Sequence, residues 1–278
     1  MTGVDRSVAA PVRPGANSRT SSPLSSKAGF AALALGIALA PSIIGAGGYL
    51  ETVLIMVGIF AVLALSTDLL LGRLGLPSLA TGALFAVGAY TVAVLTAIHD
   101  VSFWPALAVG IVLSALSGLC FGYITMRASG HYFAVSSLAF AGACVVLLKT
   151  WESVTRGAAG IFGISRPADI HLFGTFKIPL STTQGMYYLV ALLLMICLFV
   201  VYRLDRNNFG RRMTLIKVDP VLAGALGVDV FKFKLLAFII SAAMAGAAGG
   251  FYASYTSYID PSLASYHTGF MALVYSIV

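Results

Sequence analysis

Long apolar runs separated by short polar segments dominate the chain. Each run is close to the roughly 20 residues that an α-helix needs to cross a bilayer. The pattern predicts an all-α integral membrane protein, a polytopic helical bundle of about eight spans with the last one incomplete. The runs cover approximately residues 28–46, 50–71, 79–97, 102–125, 131–150, 185–202 and 235–255, and one more starts near residue 263.

Composition excludes a soluble domain. Hydrophobic residues make up 59% of the chain and charged residues only 10%, whereas about 25% of residues are charged in soluble domains. The formal net charge of +7 invites comparison with nucleic-acid-binding proteins. However, the basic residues lie at the ends of apolar runs and in one loop, so we expect a lipid bilayer around the chain and no nucleic acid.

Charge also predicts the orientation. Residues 1–27 have no hydrophobic periodicity and carry four basic residues against one acidic residue, so we expect a disordered cytoplasmic tail. A signal peptide is the competing interpretation of the first run. Against it, the preceding segment is long, and another span rather than a soluble domain follows. Residues 28–278 are therefore predicted to form one transmembrane domain with its N-terminus in the cytoplasm.

The segment 203–234 holds seven of the 17 Lys and Arg residues and three of the ten acidic residues. A basic segment between two spans belongs on the cytoplasmic side. Its apolar end, VLAGALGV, has the form of a short helix that a soluble partner could bind. We expect the connection 151–184, with its mixed charge, on the opposite side.

No enzyme signature is present in the sequence. The motifs HExxH, GxSxG and GxxxxGK[ST] are all missing, and the histidines are scattered. Cys120, Cys144 and Cys197 lie inside apolar runs without CxxC spacing, which favours free buried thiols. We therefore expect a transport protein with no catalytic residues, no metal site and no cofactor of its own, so that any ATP is bound elsewhere.

Two features inside the predicted spans have more than one interpretation. Asp68 lies five residues before Arg73, and an ion pair between them is favoured over a proton or cation site. Residues 75–90, GLPSLATGALFAVGAY, contain Pro77 and Ser78 near their start. They predict either an interrupted helix against a cavity or an ordinary helix with Pro in its first turn. The small residues Ala242, Gly246 and Gly250 predict close helix packing.

Four segments together resemble the M-type permease subunit of branched-chain amino acid ABC importers. They are GLPSLATGALFAVGAY at 75–90, MRASGHYFAVSSLAF at 126–140, TRGAAGIFGI at 155–164, and the long segment FGRRMTLIKVDPVLAGALGVDVFKFKLLAFIISAAMAGAAGGFYA at 209–253. The chain departs from the family pattern in three places. Asp219 followed by Pro220 replaces an acidic pair, Gly224 stands where the family has Arg, and Thr81 takes the place of a His.

The resemblance implies a bacterial inner-membrane permease that works with a second homologous permease and an extracytoplasmic solute-binding protein. It also implies ABC ATPase subunits that bind ATP and magnesium and dock on the 203–234 loop. The residues that would make this docking contact are Asp219, Leu222, Ala223, Ala225, Leu226 and Gly227. The solute would be a branched-chain amino acid or a similar small polar molecule.

Three further expectations concern the alternative function, the end of the chain and the solute path. A stand-alone channel or secondary carrier for a small neutral solute, such as urea or an amide, is the alternative function. The chain ends at Val278 inside an apolar run, so we expect the natural protein to continue, with an ATPase domain as one candidate continuation. The proposed residues of the solute path are Ser78, Thr81, Gly88, Tyr90, Tyr132 and Phe133.

Overall fold

The computed structural model describes residues 48–126, 130–167, 170–172, 176–178 and 182–277. The predicted first span at 28–46 and the predicted tail at 1–27 lie outside these residues.

Helices account for most of the described chain. They are α1 (Tyr49–Leu74), α2 (Ala80–Ala97), α3 (Phe103–Thr125), α4 (Gly130–Thr150), α5 (Glu152–Thr155), α6 (Thr183–Arg206), α7 (Asn208–Val218), α8 (Pro220–Ala225), α9 (Val230–Thr256) and α10 (Tyr266–Ile277). Four short strands complete the fold: β1 (Ile161–Phe162), β2 (Ile170–Leu172), β3 (Phe176–Ile178) and β4 (Tyr258–Ile259).

Six helices in the described part of the chain are long and apolar enough to cross a membrane: α1, α2, α3, α4, α6 and α9. The prediction of a helical membrane bundle is therefore confirmed, and each of these helices matches a predicted span within a few residues. The last predicted span corresponds to α10, whose 12 described residues extend only about 18 Å at 1.5 Å per residue. We call the end of the bundle that carries α7 and α8 the loop end, and the opposite end the far end.

Helix α2 is the centre of the bundle. Most of its side chains are buried, and it packs against α9, α3, α10 and α4. It lacks the amphipathic stripe of a surface helix because neighbours surround it on all sides. Helices α1, α3, α4 and α6 each expose several apolar side chains, as helices at a lipid boundary do.

Glycine allows α2 and α9 to approach each other at backbone distance. A Cβ atom on Gly88 would overlap the backbone of Gly246, and one on Gly246 would overlap the side chain of Ser114 on α3. The Ser114 hydroxyl donates a 3.1 Å hydrogen bond to the Leu84 carbonyl of α2. The predicted packing face of α9 is thus where three helices meet.

Between α1 and α2 the chain runs through a non-helical segment, residues 75–79, in which Leu76 and Ser78 are buried and Gly75 is exposed. Gly75 ends α1 in the left-handed conformation with φ of 68°, and its N–H donates to the Leu71 carbonyl at 3.1 Å, which is the αL type of helix end. Pro77 therefore precedes α2 by three residues and does not lie in its first turn. The end of α1 and the start of α2 lie at different depths in the bundle. The hydroxyl of Thr81, at the start of α2, lies 3.5 Å from the hydroxyl of Thr67, which lies well before the end of α1.

The chain returns into the bundle after α9 in a similar way. Antiparallel pairing of β1 with β4 joins Ile161 to Ile259 at the far end. From there the chain descends through a 3-10 turn at Pro261–Ala264 to the start of α10. A Cβ on Gly269 of α10 would overlap the Leu79 carbonyl. The beginnings of α2 and α10 therefore meet inside the bundle.

The close approach of α2 and α9 predicts a strong effect of one methyl group. We expect Gly88→Ala to destabilise the protein by about 1–3 kcal/mol, the usual cost of overpacking, because the opposing atoms are the backbone of Gly246. The measurement is the thermal unfolding midpoint of the detergent-purified protein.

Gly142→Ala is the matched control, since a Cβ at this α4 position meets no atom within 4 Å. It should leave the midpoint unchanged or raise it slightly. Equal midpoints for the two variants would show that α2 and α9 do not approach as described.

Candidate functional site

The loop between α6 and α9 folds into two short helices. Helix α6 ends at Arg206, and α7 starts two residues later in a new direction. Gly210 permits this bend, because a Cβ there would come within 2.7 Å of the Leu204 carbonyl oxygen. The sequence predicts a short helix at the apolar end of this loop, and the structure contains α8 there, separated from α7 at Asp219.

Asp219 starts α8 as its N-cap. Its Oδ1 accepts hydrogen bonds from the backbone N–H of Val221 at 2.8 Å and of Leu222 at 3.2 Å. Pro220 occupies the first helical position, where its fixed φ is compatible with the helix and its missing N–H costs nothing. The Asp-Pro pair that departs from the family pattern is therefore a sound helix start.

Gly227 ends the same turn. It adopts a φ of +81°, a conformation that glycine reaches without steric strain. The Val228 N–H then donates to the Ala223 carbonyl at 3.1 Å. Helix α8 is thus closed at both ends by local hydrogen bonds, and its six residues keep one fixed shape.

Apolar side chains of α7 and α8 point away from the bundle. Leu222 is 53% exposed, Leu226 64% and Val221 82%, and Val218 beside them is exposed as well. We call these four residues the loop-end apolar surface. Ala223 is buried beneath it and anchors α8 on the loop. An apolar cluster exposed on a basic loop is typical of a protein interaction site.

The structure brings most of the predicted docking residues together. Asp219, Leu222, Ala225, Leu226 and Gly227 all lie on α8 or at its ends and are exposed. Ala223 supports them from beneath. Sequence reasoning missed Val218, although a valine directly before the Asp-Pro pair was a usable signal.

Ionic contacts fasten this loop to the end of α1. Arg73 binds Asp205 of α6 through two hydrogen bonds, from Nε at 2.5 Å and Nη2 at 2.8 Å, and it donates from Nη1 to Asp68 at 2.5 Å. The predicted Asp68–Arg73 pair is confirmed. Lys217 of α7 adds a 2.7 Å hydrogen bond to the Gly72 carbonyl. Because the ion pairs are partly exposed, each contributes at most about 1 kcal/mol, but together they fix the position of the loop.

Asp229 begins α9 with a similar cap. Its Oδ1 accepts from the Lys232 N–H at 3.1 Å, and its Oδ2 lies 2.9 Å from the Lys232 Nζ. Hydrogen bonding to the Lys232 side chain lowers the pKa of Asp229 below its ordinary value. This cap is therefore intact above the ordinary carboxyl pKa and is lost as pH falls through the lowered value.

The partly buried segment between α1 and α2 forms a second candidate site. The hydroxyls of Thr67 and Thr81 face each other, and the Leu79 N–H donates to the Ser137 hydroxyl of α4 at 3.0 Å. The Ser78 hydroxyl is fully buried and has no hydrogen-bond partner among the described residues. This set of side chains, which we call the hydroxyl cluster, consists of Thr67, Ser78, Thr81 and Ser137.

The residues predicted for the solute path are not all in one place. Ser78 and Thr81 belong to the hydroxyl cluster, whereas Gly88 packs on α9. Tyr90 lies with Ile161 and Ile259 at the far end. The two remaining residues diverge on α4, where Phe133 packs against Phe121 and Phe238 and Tyr132 is 73% exposed. Sequence reasoning missed Thr67 and Ser137, whose signal was a hydroxyl inside an apolar run.

The described part of the chain contains no assembled site for metal binding or for thiol chemistry. No group of three His, Cys, Asp or Glu residues is arranged there to hold a metal ion. All three cysteines are free, with Cys197 buried and Cys120 exposed on the surface of α3.

Comparison with known proteins points to one family. The family model for the permease component of branched-chain amino acid transport systems matches residues 49–278. The permease protein LivM of the high-affinity branched-chain amino acid transport system is similar in two organisms. The Salmonella typhimurium protein is 33% identical over 74% of this chain and 52% of its own length, and the Escherichia coli protein is 30% identical over 73% and 52%.

A second permease of that system, LivH of Salmonella typhimurium, is 24% identical over 77% of this chain and 70% of its own length. The chain thus spans about half the length of the LivM relatives. No solved structure matches the chain.

The cap on α8 predicts a local change in stability. Asp219→Ala removes the acceptor for two backbone N–H groups, so α8 should lose about 1 kcal/mol. We expect roughly fivefold faster hydrogen exchange of the amides at 221–226, as measured by mass spectrometry on the purified protein.

Asp219→Asn keeps a side-chain oxygen and should keep the original exchange rates, because Asn and Asp cap helices about equally well. Equal protection in the Ala and Asn variants would mean that the cap does not hold α8.

Proposed function

Because the chain belongs to the family of permease components of branched-chain amino acid transport systems, we propose that it is the membrane subunit of an ATP-driven importer. It is a multi-pass membrane protein with a transport rather than an enzymatic role. The observation that carries the proposal is the loop-end apolar surface, which is rigidly capped and exposed on a basic loop between two spans.

The docking partner in this proposal is a separate ABC ATPase, which binds ATP and magnesium. Leu222 and Leu226 would enter a groove on the ATPase, and the caps at Asp219 and Gly227 would keep α8 from unfolding under load. Closure of two ATPases around ATP would then draw the loops of two permeases together. The Arg73 and Lys217 contacts would pass that movement to α1.

The remaining partners follow from the same proposal. A second homologous permease would complete the pathway, and an extracytoplasmic binding protein would deliver the solute. The membrane would be the bacterial cytoplasmic membrane, with the loop end on the cytoplasmic side, as the basic residues of 203–234 favour. The solute is proposed to be a branched-chain amino acid or a similar small polar molecule.

For the solute path we propose the hydroxyl cluster. Non-helical backbone inside a bilayer is tolerated only where it is enclosed by protein or lines a cavity, and within residues 75–79 the side chains of Leu76 and Ser78 are buried. The fully buried, unpartnered hydroxyl of Ser78 is suited to bind a polar solute when the helices separate. Ser78 and Thr81 are therefore the two predicted path residues that this proposal retains.

The docking proposal predicts different effects of arginine at two neighbouring positions. Leu226→Arg places a charge on the loop-end apolar surface, and we expect at least a tenfold loss of ATP-dependent leucine uptake, a loss of about 1.4 kcal/mol or more in coupling. The measurements are uptake into vesicles and recovery of the ATPase with the tagged permease.

Gly224→Arg is the matched control, because it adds the same charge to the same helix at an exposed position with no atom within 4 Å of a new Cβ. It also restores the residue type of the family pattern, so uptake should persist. Uptake that survives Leu226→Arg, or that needs no ATPase, would instead favour the stand-alone channel or carrier.

The path proposal predicts a change in apparent affinity. Ser78→Ala removes one hydroxyl, and we expect KM for leucine to rise about fivefold, as for the loss of a hydrogen bond of about 1 kcal/mol. Ser254→Ala is the control, since Ser254 is also buried and without a partner in the described structure but lies near the end of α9. A Ser78→Ala variant with unchanged KM would remove Ser78 from the path.

A further inference from the structure

An apolar groove of about 830 Å³ runs along the outer face of α1. Its floor is one stripe of α1 that extends from Tyr49 to Asp68, and side chains of α6 and α10, among them Leu194 and Tyr275, form its walls. The opposite stripe of α1 is buried in the bundle. The groove is therefore a continuous, concave surface along one helix.

We propose that this groove is the docking site of the chain's own first apolar segment, residues 28–46, which crosses the membrane antiparallel to α1. Only Gly47 and Gly48 separate the segment from Tyr49. A connection this short places consecutive helices side by side and antiparallel. The groove begins at the residue where the segment ends, so the segment needs no further linker to enter it.

The lengths agree. A helix of 19 residues over 28–46 extends about 28 Å at 1.5 Å per residue, and the groove floor from Tyr49 to Asp68 extends about the same distance. Both match the roughly 30 Å hydrocarbon core of a bilayer. The segment therefore covers the whole groove and does not extend beyond it.

Small residues give the segment a face that fits. Ala28, Ala32, Gly36 and Ala40 recur every four residues and lie on one side of a helix, where they allow close approach to a neighbour. The groove floor has its own small residues at Ala61 and Ala64. In the antiparallel arrangement Ala32 and Ala64 lie at nearly equal distances from the connection and thus at the same depth.

The positions of the charged residues indicate the same register between the segment and the groove. Asp68 is 34% exposed at its side chain and shares Arg73 with Asp205, so two carboxylates face one guanidinium there. Lys27 precedes the segment and is as many residues before the connection as Asp68 is after it. Docking brings the Lys27 ammonium to the carboxylate at the loop end, where a charge near lipid requires a partner.

Disulfide trapping in native membranes tests this inference. In a full chain whose Cys120, Cys144 and Cys197 are replaced by alanine, Ala32→Cys is combined with Ala64→Cys and a mild oxidant is added. We expect both thiols to be lost to an intramolecular disulfide, detected by maleimide labelling and mass spectrometry. The control combines Ala34→Cys with Ala64→Cys, because residue 34 lies about 200° around a helix from residue 32 and should keep both thiols free.

Each other result overturns the proposal. A crosslinked dimer from the Ala64→Cys single variant would place a second copy in the groove. Free thiols in both double variants would leave the groove to lipid, to another subunit or to chain beyond Val278. Equal crosslinking of the two double variants would show that the segment has no fixed face. The experiment reports on packing alone, so its outcome does not depend on whether the chain transports leucine.

Discussion

The backbone contact between α2 and α9 is the constraint on which the bundle depends. Gly88 and Gly246 bring the two helix axes so close that no side chain fits between them. Inside a bilayer, lipid solvates apolar side chains as well as protein does, so helix association rests on close packing and on hydrogen bonds between helices. The Ser114 bond to Leu84 supplies such a link at the same level. With α2 fixed there, α3, α4 and α10 have defined positions around it.

Because α2 starts deep in the bundle, the backbone of the segment that leads into it needs hydrogen-bond partners there. The backbone of residues 75–79 lies outside any helix, and part of it, at Leu76 and Ser78, is buried. Three features stabilise this backbone: an αL-type helix end at Gly75, the Ser137 hydroxyl that accepts from the Leu79 N–H, and the glycine at 269, which lets α10 cover the Leu79 carbonyl. The Ser137 hydroxyl thus lies where the backbone is interrupted and supplies a hydrogen-bond partner there.

Sequence reasoning could find the spans because membrane helices must be long and apolar, and each of the six was located within a few residues. It identified Ala242, Gly246 and Gly250 as a packing face, since small residues that recur at helical spacing let two backbones approach closely. It could not foresee that the break before α2 faces the start of α10, because that meeting joins residues 190 positions apart. The scatter of Tyr90, Tyr132 and Phe133 has the same origin, since sequence spacing does not report which face of a helix points inward.

The site at the loop end and the break are parts of one mechanical path under the proposed function. Helix α8 is closed at both ends and rests on Ala223, so a push on its exposed leucines displaces α7 with it. Lys217 and Arg73 tie that unit to the last turn of α1, and the break starts at the next residue, Gly75. Helix α1 cannot tilt without moving Thr67 relative to Thr81, because these hydroxyls lie on opposite sides of the break. A small rotation at the loop end would therefore open the hydroxyl cluster first, before any change at the tightly packed contact of Gly88 with Gly246.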